Sequence, residues 1–146
     1  MILTAALATG IAVAAEGKNA AAALVDQILD IDHTEQESVL CVGEQEFYTS
    51  KKNGPFPNHQ FLVSVSTVYA LAALTYRDHD DPVMPIANSY NSERPLPELD
   101  LICDGETGAV FPRTALIPVS LARMGLLEWL DTWKRPACIE WRPCKV

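Results

Sequence analysis

The sequence has few basic residues. Eleven Lys and Arg stand against 19 Asp and Glu in a chain of 146 residues, so the net charge is −8. Because binding nucleic acid or anionic lipid requires clustered Lys and Arg, this balance argues against both as partners. The same charge attracts a basic protein partner. No stretch is long and apolar enough for stable membrane insertion.

The sequence also lacks the spacings that mark a catalytic or metal site. No histidine follows His79, and the cysteines do not form the close pairs that zinc sites use. Ser64 and Ser66 lie in an apolar stretch without a nucleophile elbow. DGETG, at residues 104–108, lacks the lysine of a phosphate loop. We therefore predict no catalytic residue, no metal and no cofactor.

The first residues, MILTAALATGIAVAAEGKN, are typical of a signal peptide. An apolar run of suitable length is followed by small residues from Ala12 to Ala15, which suit a cleavage site, although no basic residue precedes the run. This pattern predicts a signal peptide over 1–15, a single mature domain over 16–146, and a periplasmic or secreted location. The alternative is an Ala-rich first helix buried in the fold.

Four cysteines are consistent with export. An even number of cysteines in an exported chain predicts two disulfides. Of the three possible pairings we favour Cys138 with Cys144, which are close in sequence, and Cys41 with Cys103. The first of these bridges would close a loop at the C-terminus.

The predicted loop offers a candidate partner-binding site at Glu140, Trp141, Arg142 and Pro143. Trp and Arg are the residue types that dominate binding hot spots. A disulfide would hold them in place and lower the entropic cost of binding. The alternative is that Trp141 packs on the core and the loop has no partner.

Apolar residues at helical spacing predict a mainly α fold. Thr34 and Glu37 form a capping box at the start of one predicted helix, and Pro118 is a favourable first-turn residue for another. The long apolar stretch at 58–78 is expected to be the buried central helix, although its β-branched start also suits a strand. The predicted helices are 19–32, 34–53, 58–78 and 118–135.

The remaining segments are expected to be short or irregular. Two strands on either side of residues 104–108 predict a β-hairpin. Residues 86–90 are expected to form one helical turn within a proline-rich segment. The predicted architecture is thus a small helical domain with a short β-hairpin and two disulfides.

Parts of the sequence resemble a known family. The stretch VLCVGEQEF at 39–47, then NHQFLVSVSTVYALAALTYRDHDDP at 58–82, and finally Cys103 together resemble the amidase-immunity family of type VI secretion. The likeness covers about residues 40–103. It implies a small, helical, periplasmic protein that blocks a toxin sent by neighbouring cells. No functional residue is carried over from this family.

These observations favour an exported, acidic protein-binding domain, most concretely an immunity or inhibitor protein that neutralises an envelope-acting toxin. Two alternatives stay open. One is a small periplasmic hydrolase or metal-binding enzyme, which would need His33, His59 and His79 to converge with nearby acids. The other is an accessory subunit of an envelope complex.

Overall fold

The chain folds as an antiparallel β-sheet packed against two helices. The computed structural model describes residues 1–47 and 57–144. The strands and helices, in chain order, are β1 (Ile2–Ala6), β2 (Ala12–Glu16), α1 (Lys18–Leu29), β3 (Ser38–Gly43), β4 (His59–Ser66), β5 (Leu71–Asp78), β6 (Ile86–Tyr90), β7 (Ile102–Asp104), β8 (Ala109–Val110), β9 (Ile117–Pro118), α2 (Val119–Thr132) and β10 (Glu140–Pro143).

The described part of the chain is mainly β, so the prediction of a mainly α domain is wrong. Its principal sheet has eight strands in the order β10-β6-β5-β4-β3-β1-β2, with β9 paired to β5, and all pairs are antiparallel. A separate pair, β7 with β8, forms the hairpin expected around residues 104–108. None of the helices in the described ranges is long and apolar enough to cross a membrane.

The predicted central helix at 58–78 is instead the hairpin of β4 and β5. Most residues of both strands are buried, because the helices cover one side of the sheet and residues 99–116 cover part of the other here. Burial on both faces removes the alternation that identifies a strand. The turn between the strands also contains no glycine or proline. Ala70 takes the left-handed conformation there, with φ 53°, in which glycine is the usual residue. The sequence therefore carries no local signal that the chain reverses.

Two other helical predictions fail for local reasons. The stretch after Thr34 and Glu37 forms β3, and the Glu37 carboxylate accepts a hydrogen bond from the distant Gly105 N–H rather than capping a helix. Part of that predicted helix, residues 48–53, lies outside the described residues. The helical turn expected at 86–90 is β6, an interior strand of the sheet.

The first and last predicted helices are confirmed. The first is α1, whose buried face includes Leu24, Val25 and Ile28. The last is α2, which begins directly after Pro118 and buries Leu126 and Trp129. Both are amphipathic helices that lie on the surface of the fold, which is the situation in which periodicity identifies a helix well.

Residues 1–15 are part of the sheet, and the structure gives no support for a signal peptide there. β1 lies between β2 and β3, and Leu3 and Ala5 belong to the main hydrophobic core. A chain beginning at residue 16 would lack an interior strand. Leu3 is completely buried, which the alternation of β1 explains, since one of its sides faces the helices.

The two predicted disulfides are absent, and Cys41, Cys103, Cys138 and Cys144 are free thiols. Cys138 and Cys144 flank the extended strand β10. Four extended residues span about 13 Å, which exceeds the roughly 7 Å that the Cα atoms of a disulfide tolerate. The predicted disulfide-closed loop is therefore a strand at the sheet edge.

The main core lies between the sheet and the two helices, a side that we call the helix face. Phe61 sits at its centre, with its ring centroid 4.8 Å from those of both Tyr76 and Trp129. Arg123 of α2 donates to the Asp26 carboxylate of α1 at 2.7 Å and links the two helices at the surface. The core residues from the sheet include Leu3, Leu40, Val63, Val65 and Leu74.

Residues 99–116 cover part of the opposite side of the sheet. Leu101, Phe111 and Leu116 form a second, smaller core against Ala73 of β5. Hydrogen bonds fix this segment, among them the one from the Ser89 hydroxyl to the Ala115 carbonyl at 2.7 Å. Among residues 1–47 and 57–144, this coverage reaches only as far as the start of β3, and Phe47 lies against Gly43 at the other end of that strand.

Candidate partner-binding surface

The side of the sheet opposite the helices is a candidate surface, and we call it the open face. Strand pairing places Leu62, Val39 and Ala6 side by side on adjacent strands. The same pairing aligns Gln60 of β4 with Arg77 of β5. Two cavities lie on this face and share Val39 as a lining residue.

The first cavity lies at the β2 side, and we call it the edge pocket. It has a volume of about 340 Å³. Its walls are small and apolar, apart from Thr4 and Glu46. The Thr4 hydroxyl accepts the Phe47 N–H at 3.4 Å, and the Phe47 ring lies against Gly43 of β3. The other lining residues are Ala5, Ala6, Ala12, Val13, Ala14, Val39 and Cys41.

The second cavity lies where the β7–β8 hairpin meets the open face, and we call it the acidic pocket. It has a volume of about 320 Å³. Three carboxylates line it, those of Glu37, Asp104 and Glu106. Glu37 is held in place, because its carboxylate accepts the Gly105 N–H at 2.9 Å. The remaining lining residues are Val39, Gln60, Leu62, Arg77 and Cys103.

Arg77 provides the positive charge of the acidic pocket. Its guanidinium donates to the Gln60 side chain at 3.1 Å, while its Nε has no hydrogen-bond partner among the described residues. Burial raises the pKa of the neighbouring Cys103 thiol, and the Cys144 thiol and the Asp104 and Glu37 carboxylates add to this shift. Cys103 is therefore a neutral thiol, and the pocket carries an excess of negative charge.

The predicted partner-binding residues form β10, at the edge of the sheet farthest from β2. Trp141 is half-buried on the helix face, with its ring centroid 6.1 Å from that of Phe61. Its indole Nε1 donates to the Pro136 carbonyl at 2.8 Å. This side chain closes the core, as the alternative interpretation of the loop held.

Glu140 and Arg142 project from the other side of β10, the side of the open face. The Arg142 guanidinium lies 4.3 Å from the Tyr90 ring centroid and pairs with Glu140 at 3.2 Å. Arg142 is also paired across the strands with Asn88, which is paired with Thr75. Both charged side chains are about half exposed. Partner binding by residues 140–143 stays a prediction.

One cluster has the donors that a divalent cation uses. His59, Asp78 and Asp80 offer ligand atoms within 4.8 Å of one another. In the structure these groups bond to each other: His59 Nε2 lies 3.0 Å from Asp80 and 3.3 Å from Asp78, and His59 Nδ1 lies 2.8 Å from the Tyr76 hydroxyl. The cluster is therefore satisfied as a hydrogen-bonded group.

The three histidines of the enzyme alternative do not converge. His33 is buried, and its backbone N–H bonds to Val65 near the end of β4. His59 lies at the opposite end of the same strand. His79 is exposed beside His59, but it is not a member of the cation-type cluster. The structure therefore does not assemble the catalytic group that this alternative required.

The residues of the acidic pocket were missed by sequence reasoning. Glu37 was interpreted as a helix cap, and Asp104 and Glu106 as ordinary turn residues. They meet because the turn between β7 and β8 bonds to Glu37, just before β3, a contact between segments almost 70 residues apart in sequence. The strongly negative net charge was the only sequence signal that pointed to an acidic binding surface.

Comparison with known families gives one match. A family model described as immunity protein Imm1 matches residues 12–143, which is most of the chain. The match includes all lining residues of the acidic pocket and all those of the edge pocket except Thr4, Ala5 and Ala6. No curated protein matches the sequence.

Proposed function

We propose that this chain, which belongs to the Imm1 immunity protein family, neutralises a toxin by binding it on the open face of the sheet. The observation that carries this choice of surface is the acidic pocket, with carboxylates of Glu37, Asp104 and Glu106 around one concave site. A protein partner with an exposed Lys or Arg would be complementary to this pocket.

Charge complementarity supports the open face over the helix face. The centre of the helix face is filled by α1 and α2. A cavity of about 670 Å³ beside the end of α2 has only two carboxylates, Glu44 and Asp80, and Asp80 is already paired with His59. On the open face, a basic side chain of the toxin would enter the acidic pocket, and apolar side chains would fill the adjoining edge pocket. An apolar contact area beside a charged one is the usual anatomy of a protein interface.

Glu140 and Arg142 extend the proposed surface. Their side chains project to the same side of the sheet as the acidic pocket. A toxin that covers the pocket and reaches β10 would contact both sites. From the partner-binding residues predicted at 140–143, we therefore propose these two charged side chains as contacts of the toxin. Trp141 packs against the core.

The class of toxin and the location are further proposals. The sequence predicts an envelope-acting toxin and a periplasmic or secreted protein, as the likeness to the amidase-immunity family implies. Fractionation of cells that produce the untagged chain tests the location. Recovery with periplasmic markers supports this proposal, and recovery with cytoplasmic markers contradicts it.

A growth assay tests the proposed function. Each toxin encoded by the source organism is expressed with and without this chain, and rescue of growth identifies the partner. Binding of the rescued toxin is then measured by calorimetry. We expect one toxin to be neutralised, and we expect its affinity to fall as salt rises, because salt screens charges at an interface. If no toxin is neutralised, the proposed function is wrong.

Variants locate the binding site. The double variant Asp104→Asn with Glu106→Gln removes two charges from the acidic pocket but keeps the oxygen at 104 that accepts the Glu106 N–H. The control, Glu93→Gln with Glu98→Gln, removes two exposed charges outside the pocket. We expect the pocket variant to bind about tenfold more weakly or worse, and the control to bind normally. Equal affinities would place the toxin elsewhere on the protein.

A further inference from the structure

The outer edge of β2 has unpaired backbone groups. The Leu7 N–H donates to the Ile11 carbonyl, and the Gly17 N–H donates to the Met1 carbonyl. Because bonded and non-bonded pairs alternate along an antiparallel ladder, Val13 and Ala15 also bond to β1. Ala12, Ala14 and Glu16 therefore direct their N–H and C=O groups away from the sheet.

No strand covers this edge in the described part of the chain. β2 is the last strand of the sheet order, and β1 is its one partner there. The side chains of Ala12 and Ala14 are exposed, and Ile11 at the preceding turn is 59% exposed. An uncovered edge of this kind is a template for another strand.

β2 also lacks the features that protect natural sheet edges. Its residues from Ala12 to Ala15 carry no charge, no proline and no bulge. Glu16 is its only charged residue and lies at the end of the strand. Protective charges or prolines are expected near the middle of an exposed edge, because there they block pairing with another chain.

The opposite edge of the sheet is protected. The Cys144 N–H donates to the Ile86 carbonyl, so alternation directs Trp141 and Pro143 outward from β10. Pro143 has no N–H to donate to a further strand. Glu140 and Arg142 add charge to the same strand. Of the two end strands in the described sheet order, β2 is therefore the one open to a further strand.

We propose that β2 pairs antiparallel with β2 of a second copy of this chain, forming a symmetric dimer with one continuous sheet. The outward-facing residues are evenly placed about Ala14, which makes the strand complementary to itself. In this register Ala14 lies opposite its own copy, and Ala12 lies opposite Glu16. Each outward N–H meets an outward carbonyl of the other strand.

Repulsion between like charges favours this register over the one centred on Glu16. Centring the pair on Glu16 would place two carboxylates directly opposite one another, which is destabilising. Centring on Ala14 leaves Glu16 opposite an alanine. On the helix face the same register places Val13 opposite Ala15, so that two partly exposed apolar side chains cover each other.

The dimer is closed rather than fibrous. With a two-fold axis at Ala14, the β2 edges of both copies pair with each other. The two outer edges of the combined sheet are then both β10, which is protected. The acidic pocket lies away from β2 and stays accessible in the dimer. The edge pocket, by contrast, is lined in part by Ala12 and Ala14 and lies beside the dimer seam. The dimer is tested by its mass rather than by toxin neutralisation, so failure of one proposal is distinguishable from failure of the other.

Sedimentation equilibrium of the purified chain is the first test. We expect a mass twice the 16.0 kDa of one chain, falling to one chain on dilution. Ala14→Pro removes the central outward N–H without removing a bond to β1, and we expect a monomer. Ala14→Ser is the matched control, because it keeps the N–H, and we expect a dimer. A monomeric native chain at every concentration overturns the proposal.

A charge-pair experiment tests the register and does not depend on the proline variant. Ala14→Glu and Ala14→Lys each place like charges opposite one another, so each protein alone is expected to be a monomer. An equal mixture of the two is expected to form a heterodimer. If each variant alone is dimeric, or the mixture stays monomeric while both are folded by circular dichroism, Ala14 is not at the two-fold axis.

Discussion

The imidazole of His33 lies with its Nε2 2.8 Å from the Ser38 hydroxyl, at the start of β3. Its Nδ1 lies 2.7 Å from the Ile31 carbonyl, and only an N–H can satisfy that acceptor. Nε2 is therefore the unprotonated nitrogen, and the Ser38 O–H donates to it. Ser38 in turn accepts the Ala8 N–H at 2.9 Å, so one neutral imidazole joins the segment after α1 to β3 and, through Ser38, to the β1–β2 turn.

This arrangement predicts a dependence of stability on pH. Burial lowers the pKa of His33 from 6.5, while the Ile31 carbonyl and nearby acids oppose that shift. Between the lowered pKa and about 6.5 the unfolded chain binds a proton that the folded chain does not. The free energy of unfolding therefore falls as the pH drops below about 6.5, by at most about 1.4 kcal/mol per pH unit from this group.

Urea unfolding between pH 5 and pH 7.5 measures this effect. His33→Gln cannot titrate, so its stability is expected to change less over this range than that of the native chain. His79→Gln is the matched control at an exposed histidine, and its free energy of unfolding is expected to depend on pH as that of the native chain does. If His33→Gln retains the full slope, the dependence arises from other groups.

Residues 1–15 are expected to be essential for folding. Leu3 is fully buried in the main core, so Leu3→Ala is expected to lower the free energy of unfolding by about 2–5 kcal/mol. Val13→Ala, at a half-exposed position on the neighbouring strand, is the control and is expected to cost less. A chain starting at residue 16 is expected to show no cooperative unfolding. A cooperative transition in that chain would show that β1 is dispensable.

Substitutions of the neighbouring residues Trp141 and Arg142 are expected to differ in their effect on stability. Trp141 contacts the core and bonds to Pro136, so Trp141→Ala is expected to lower stability by roughly 1–3 kcal/mol, below the cost at a fully buried site. Arg142 is half exposed, and Arg142→Ala is expected to change stability by less than about 0.5 kcal/mol. Denaturation measures both. An equal loss in the two variants would mean that the Arg142 contact with Tyr90 supports the fold.

The four thiols are expected to be free and to react in order of exposure. The intact mass of the protein should be the same before and after reduction. A mass that is lower before reduction, by the hydrogens lost when thiols form disulfides, would contradict the structure. Under alkylation of the folded protein, exposed Cys138 is expected to react first. Cys41 is expected to react last, because burial raises the pKa of its thiol to about 12 and blocks access. Mass spectrometry of digested samples follows each site.

Several elements were predictable because their signals are local. α1 and α2 each have one buried stripe and one side exposed to solvent. The turn at 104–108 has two glycines between apolar runs. The β4–β5 hairpin was not predictable in this way. Both of its faces are buried, and its turn uses Ala70 in place of glycine. The helical period found there was a consequence of a nearly continuous apolar run.

The candidate surface shows the same division. The net charge of −8 predicted a protein partner of basic character, and the family match agrees on a protein partner. The residues that form the acidic pocket could not be predicted. Glu37, Asp104 and Glu106 come from two separate segments, and no spacing in the sequence relates them. Cysteine number likewise suggested disulfides, whereas the extended path of β10 keeps Cys138 and Cys144 apart.

The sequence by itself determined the charge, the two amphipathic helices and the reversal at 104–108, because each depends on residues that are near one another along the chain. Only the tertiary structure decided that residues 1–15 and 58–78 are strands, where the open face lies, and which acids meet there. Strand pairing joins residues as distant as Ile2 and Gly43, and a strand is stable only with its partners. Its signal therefore lies in the assembled sheet rather than in any single segment.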